Sequence, residues 1–379
     1  MKDKQEIHFS PSLCLTHECN LNCIYCYQEH SSNMKMSLDT AKNSIDWIFS
    51  NIPTNMTGVE IGFIGGEPLL EFNLIKEIVA YTCSKPRGVK YIFYATTNGT
   101  LLTDEMKLWF TTRKDCFVLG LSLDGAKETH DYNRCNSFDK IDFAFFLKNW
   151  PQQGVKMTLS EFSLNHLAEN IKFIHSLGFK EIGGVNLFEG DFDWSHDKFI
   201  KILVPQLMEL VAYYVENDTL MLNQMLNKKI DLLQGERKRM RKWCGIGNGT
   251  NFFDVDGKMY PCPLVTPMTF TQSELDEILK TDFNDDSNFT DDDCIENCYI
   301  QPICPTCAGA NYINNKTFKK RDKSKCRIQK LIALFIADLQ AKRIEKNPKI
   351  YNDDTLYHTI EAIKKIRGLY LDEFKEFLS

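Results

Sequence analysis

Between residues 7 and 190, short apolar runs of strand character alternate with stretches whose apolar residues recur at helical spacing, which leaves few folds open. The predicted strands are Ile7–Leu15, Val59–Ile64, Tyr91–Thr96, Phe117–Leu123, Val155–Leu159 and Ile182–Leu187. Between them Ser37–Ser50, Leu69–Cys83, Asp104–Phe110, Phe138–Trp150 and Leu167–Leu177 carry the helical pattern. Ser37 and Thr103 offer capping hydroxyls at two of the starts, and Gly154 and Gly178 stand where helices give way to strands. Repeated βα units cross over right-handedly and build a parallel sheet. Six such units suit a partial (β/α)6 barrel better than a closed eight-unit one, with chemistry at the carboxyl ends of the strands.

The division expected is 1–190 for the barrel, 191–243 for a helical connector, 244–326 for a cysteine-rich segment and 327–379 for C-terminal helices. Phe199–Val215 is the clearest helix of the connector. In the irregular third segment metal would replace an apolar core. A net charge of −6 argues against general nucleic-acid binding. No run approaches the ~18 apolar residues that span a bilayer. The start, Met1-Lys-Asp-Lys-Gln-Glu, has no apolar signal core, so a cytoplasmic location is expected. In that compartment disulfides are not the natural use of 14 cysteines; metal ligation and burial are. Cys14 and Cys116 lie in apolar runs and read as core.

Cys19, Cys23 and Cys26 form a C-x3-C-x2-C frame just after the first apolar run, with Tyr25 before the last cysteine. Three thiolates on one loop hold three irons of a four-iron cluster and leave the fourth open to a chelating molecule. Zinc usually closes with four ligands in paired knuckles, which this triplet does not supply. The second predicted strand runs into Gly65-Gly66-Glu67-Pro68, where two glycines let the backbone approach a ligand, Glu67 offers an acceptor and Pro68 stiffens the turn. The third ends in Thr96-Thr-Asn-Gly-Thr100, a turn on its own terms. The fourth ends in Ser122-Leu-Asp124-Gly125, followed by His130 and Arg134. Ser122 and Asp124 suit a ribose, and Arg134 could grip a carboxylate with paired donors, although alone it reads rather as a solvated helix-face charge.

Taken in order, C-x3-C-x2-C, GGEP, TTNGT and SLDG-x4-HD-x2-R resemble the radical S-adenosylmethionine (SAM) enzymes that carry a SPASM domain, over roughly residues 8 to 326. The resemblance implies a partial (β/α)6 TIM barrel, then a cysteine-rich iron–sulfur (SPASM) domain and C-terminal helices. It implies SAM chelated by the open iron and cleaved by one electron to a 5′-deoxyadenosyl radical, which takes a hydrogen atom from the substrate. Glu67 and its neighbours would meet the methionine amino group, and Leu187, in the sixth predicted strand, would be an apolar wall for adenine. No catalytic base is assigned.

Seven later cysteines run Cys244-x12-Gly257-x4-Cys262, then Cys294-x3-Cys298-x5-Cys304-x2-Cys307, then Cys326. One or two zinc knuckles are the alternative to the SPASM pattern. By that resemblance Cys244, Cys262 and Cys307 bind a first auxiliary cluster and Cys294, Cys298, Cys304 and Cys326 a second, giving three [4Fe–4S] clusters in all. Two spacings depart from the family's usual x2 and x3. Seven thiols for eight positions leave one iron for a substrate thiolate, a water or another side chain.

Sulfatase-maturing enzymes are close in motif, but Ile64 stands where they have glutamine, Pro263 stands where they have an aspartate, and an eighth cysteine is missing. The expectation is therefore a maturase of a ribosomally made precursor peptide, forming a thioether or carbon–carbon cross-link. An electron donor such as flavodoxin or ferredoxin is implied, and, with no leader-binding domain expected before the barrel, either a separate leader-recognition protein or docking of the leader on the barrel itself. The basic runs Arg237–Lys242 and Lys316–Lys325 suit an acidic leader or a solvated surface, and Asp285–Asp293 reads as an acidic loop. A rival of another class, a non-catalytic iron–sulfur or zinc protein, explains the thiols but not the glycine turn, Ser122, Asp124 or Arg134.

Overall fold

The computed structural model describes residues 8–28, 33–54, 56–187, 193–234, 242–247 and 249–378. Two compact units interleave along the chain. Residues 1–123, 130–153 and 245–285 form the first; 124–129, 154–244 and 286–379 form the second.

The first unit is built on a sheet of β1 (His8–Phe9), β2 (Ser12–Cys14), β3 (Gly58–Ile64), β4 (Lys90–Thr97) and β5 (Phe117–Leu121), all parallel, extended beside β2 by the hairpin of β8 (Phe252–Phe253) and β9 (Met259–Tyr260). The run read as one strand from residue 7 is thus two, and Ile7 lies outside the described residues. Pro11 interrupts it because proline has no N–H for the ladder. Ser10 and Ser12 instead donate to the carbonyls of Gly249 and Asn251, at 2.8 and 2.7 Å. Phe63, Phe93 and Phe117 stack across β3, β4 and β5 with centroids 5.8 to 6.1 Å apart, fully buried. Each such ring contributes about 1.5–3 kcal/mol. Helices Leu38–Ser50, Phe72–Cys83 and Asp104–Thr111 follow the expected order, with Ser37 and Thr103 capping as their positions suggested. Two helices start later than their periodicity implied: Pro68–Glu71 and Phe138–Lys140 are tight 3-10 turns, and α-helix begins only at Phe72 and Phe143.

In the second unit β6 (Val155–Leu159) and β7 (Ile182–Leu187) pair in parallel as a separate two-stranded sheet. The helix Asp197–Glu216 packs against Leu167–Ser176 and Cys326–Lys346, and the last of these also packs on Asp353–Phe374. Among the described residues no helix is long and apolar enough to cross a membrane.

His175 is buried here, its Nδ1 paired with the Phe179 carbonyl at 3.0 Å and its Nε2 with the Tyr214 hydroxyl at 2.9 Å. Burial holds its pKa below the ordinary 6.5, so the unfolded chain takes the proton first. The contribution is complete above 6.5 and is lost as pH falls through the folded-state value. Urea midpoints measured from pH 7 downwards should fall, and His175→Asn should flatten that decline.

Candidate active site

Leaving β2, the chain enters a loop that carries Cys19, Cys23 and Cys26. His17 anchors its start: its Nε2 lies 2.7 Å from Asp254 Oδ1, with both side chains buried, and its N–H donates to the Met34 carbonyl at 3.0 Å. Leu21 N–H points at Cys19 Sγ (3.5 Å), and Cys26 N–H closes a turn on the Cys23 carbonyl (3.0 Å). None of the three is in a disulfide; Cys19 and Cys23 are half-buried and Cys26 is exposed. Burial pushes the Cys19 thiol up to about 11 and raises Cys26 as well. A bound cation is what would turn these thiols into thiolates.

The glycine turn after β3 meets this loop rather than open space. A Cβ on Gly65 would sit 2.5 Å from the Thr16 carbonyl oxygen, and one on Gly66 2.2 Å from that of Glu18. Gly66 N–H donates to Thr16 O at 3.0 Å and Glu67 N–H to Glu18 O at 2.9 Å. The Glu67 carboxylate is buried and accepts from Thr97 Oγ1 (2.7 Å) and the N–H groups of Leu69 (3.1 Å) and Asn98 (2.8 Å). Burial raises its pKa while those donors pull it back. Asn98 Nδ2 then donates to Asn20 Oδ1 (2.9 Å), and Asn20 Nδ2 to Thr100 Oγ1 (2.8 Å). The TTNGT turn, read from sequence as a turn alone, thus ties β4 to the cysteine loop.

Beyond β5, Ser122 is half-buried and its N–H donates to the Thr97 carbonyl at 3.0 Å. Within the motif that follows, His130 Nε2 pairs with Ser137 Oγ (3.0 Å), and Asp131 Oδ1 accepts from Phe138 N–H (2.9 Å). These bonds hold a tight turn in which Cys135 and Asn136 take left-handed φ of 56° and 54°. Three successive residues of the turn grip the cysteine loop. The Asn133 carbonyl accepts from Ile24 N–H (3.0 Å), the Arg134 guanidinium lies 5.3 Å from the Tyr25 ring centroid, and Cys135 Sγ donates to the Asn22 carbonyl (2.9 Å). Arg134 is buried, not a solvated surface charge, and Cys19 feels the charges of Glu67, Cys26 and Arg134. In the second unit Asp124 is buried and accepts from Thr158 N–H (3.1 Å), and Gly125, at φ 128°, makes room for Asn170. Leu187 ends β7, buried and paired with Leu159.

Five of the later cysteines, Cys294, Cys298, Cys304, Cys307 and Cys326, line one cavity of about 340 Å³ in the second unit. Burial pushes Cys304 up to about 12 and Cys326 to about 11. Four thiolates around zinc close to ~2.3 Å from the ion and need far less room than this cavity offers. A four-iron cluster suits the donor set and the space better. Cys262 belongs to the first unit, in a turn its carbonyl closes with Val265 N–H (3.1 Å), and Cys244 is exposed in the second. Of the basic run Arg237–Lys242, residues 237–241 lie outside the described residues; of Lys316–Lys325, Arg321, Lys323 and Lys325 line the cavity.

The family model of the radical SAM superfamily matches residues 13–150, the stretch that holds all three loop cysteines, the glycine turn and Arg134. The chain carries a radical SAM domain. Such a domain implies SAM and a [4Fe–4S] cluster, and the three thiols of one loop fit that group. The chain is 23% identical to the radical SAM cyclopropyl synthase TigE of Paramaledivibacter caminithermalis, over 84% of this chain and 72% of that one. It is 22% identical to a cysteine-type anaerobic sulfatase-maturating enzyme of Clostridium novyi, over 76% and 83%. Among solved structures, anSMEcpe with bound AdoMet superposes with a TM-score of 0.66 at 17% identity, covering 94% of this chain and 99% of that one. The same protein has been solved with AdoMet and the Cp18Cys peptide. The structural likeness is one of fold, an α/β radical SAM fold with a parallel sheet.

Proposed function

We propose that this protein is a radical SAM/SPASM peptide maturase that removes hydrogen from a ribosomally made precursor peptide and forms a thioether or carbon–carbon cross-link. When bound, SAM and the loop cluster together supply a 5′-deoxyadenosyl radical. The protein's own part is to hold and shield. Cys19, Cys23 and Cys26 ligate the cluster; Arg134 grips the SAM carboxylate; Gly65, Gly66 and Glu67 shape the amino-group side; Ser122 and Asp124 take the ribose, Leu187 the adenine, and Tyr25 covers the loop. In the auxiliary segment Cys294, Cys298, Cys304 and Cys326 hold one cluster, and Cys244, Cys262 and Cys307 hold another. The observation that carries the cross-linking reading is the count of seven thiols for eight positions, which leaves an iron for a substrate thiolate. Binding there would deprotonate and position that thiolate. A fold neighbour solved with a peptide supports a peptide substrate.

Sulfatase maturation is the second reading, favoured by the shared SLDG-x4-HD-x2-R motif. Pro263 weighs against it, because proline cannot take up a proton where a base would stand. Reconstituted enzyme, SAM, dithionite and the small peptide encoded beside the protein should give 5′-deoxyadenosine and a peptide lighter by two hydrogens. An unchanged peptide mass, or formylglycine on a sulfatase peptide, would overturn the cross-linking reading.

A further inference from the structure

The cysteine cavity of the second unit contains a cation that neither ligation nor packing requires. Lys323 Nζ lies 2.9 Å from Cys294 Sγ. It is held there by two carboxylates, Asp293 at 3.0 Å and Asp291 at 3.4 Å. Asp291 in turn fixes the ligand's own backbone. Its Oδ1 accepts from Cys294 N–H at 3.2 Å, and its Oδ2 accepts from Arg321 N–H at 2.8 Å. Cys294 is therefore located twice, through its amide and through its sulfur, by one small network that spans residues 291 to 323.

A four-iron cluster held by four thiolates is anionic, and taking up an electron adds one more negative charge that spreads onto the sulfurs. Hydrogen bonds to those sulfurs and nearby positive charge favour the reduced form and raise the potential. We infer that Lys323 donates a charge-assisted hydrogen bond to the Cys294 sulfur of this auxiliary cluster and raises its reduction potential, which suits the cluster to receive an electron. The inference rests on the auxiliary-cluster reading above. Lys323 touches neither substrate nor the reacting atoms; it is a positioning residue that acts through Cys294. Methionine at 323 keeps the aliphatic stem but removes the donor and the charge, whereas arginine keeps both.

The test is a dithionite titration with redox mediators, followed by electron paramagnetic resonance. It is run on the full chain in a Cys19/Cys23/Cys26→Ala background, so that the loop cluster contributes no signal. The Cys294/Cys298/Cys304/Cys326→Ala variant of that background identifies which signal belongs to the cavity. For Lys323→Met the reduced-to-oxidised ratio at the unsubstituted midpoint should fall roughly tenfold, about 59 mV for a one-electron couple. Lys323→Arg should restore it, with iron content unchanged. An unshifted midpoint in Lys323→Met overturns the role of Lys323 alone. Should that variant lose iron, Lys323→Leu replaces it, and an unshifted midpoint there overturns the role equally. A quadruple cysteine variant that keeps all its iron overturns the auxiliary-cluster reading itself.

Discussion

Replacing Cys19, Cys23 and Cys26 together by alanine will reduce SAM cleavage to the uncatalysed background and leave the fold standing. The loop's shape rests mainly on contacts other than those of its sulfurs. It is held by the His17–Asp254 pair, by Ile24 N–H on the Asn133 carbonyl, by Asn98 on Asn20, and by Cys135 on Asn22. The thiols themselves add weaker contacts, among them Leu21 N–H on Cys19 at 3.5 Å and the Gln28 backbone on Cys26. Stability should therefore shift by about 1–2 kcal/mol. Iron should fall by about four atoms per chain, because one cubane loses every protein ligand, while iron at the later cysteines remains. Measured together, 5′-deoxyadenosine formation under dithionite, iron content and thermal midpoint separate loss of the cluster from loss of the fold. A triple variant that still makes 5′-deoxyadenosine would overturn the assignment of the loop.

The parts of the fold that could be read in the sequence are those whose cause is local. Val155–Leu159 and Ile182–Leu187 form strands with the expected bounds because their apolar residues are spaced within short runs set off by Gly154 and the turn after Gly178. Pro11 broke the first run at a position that only the ladder's hydrogen bonding penalises. The helix Lys127–Asn133, of sequence KETHDYN, has no apolar periodicity, so pattern reading could not mark it. His130 and Asp131 hold the turn at its end. The cysteine loop, the glycine turn and Arg134 lie against one another, as their shared order along a βα pattern suggested they would. What the glycines make room for was beyond the reach of that pattern. Their neighbours are the carbonyls of Thr16 and Glu18, nearly fifty residues earlier. The same is true of Asp254 against His17, 237 positions away, and of Lys323 against Cys294, 29 away. Each is a contact between elements, set by packing, and neither residue type nor spacing encodes it.

Gly66 is where the glycine turn packs tightest on the cysteine loop, and Gly66→Ala is expected to destabilise the first unit strongly. Its Cβ would lie 2.2 Å from the Glu18 carbonyl oxygen, 2.5 Å from that carbonyl's carbon and 2.8 Å from Cys19 N. None of these is the end of a flexible side chain. The loop backbone must retreat by roughly 1 Å to regain ordinary contact. Retreat stretches two hydrogen bonds, Gly66 N–H to Thr16 O and Glu67 N–H to Glu18 O, worth about 1 kcal/mol each. Overpacking adds about 1–3 kcal/mol. The sum, about 3–5 kcal/mol, is a large part of the 5–15 kcal/mol typical of a folded domain. Because Cys19 is itself one of the displaced residues, the three sulfurs would also lose their common geometry, and iron at the loop should fall with stability. Gly88→Ala is the control. It has a φ of 71° but nothing within 4 Å of an added Cβ, so only the backbone strain of about 1 kcal/mol applies. Thermal midpoints and iron content of the two variants should separate widely. Equal midpoints with full iron in both would mean that β3 and the cysteine loop are not in close contact.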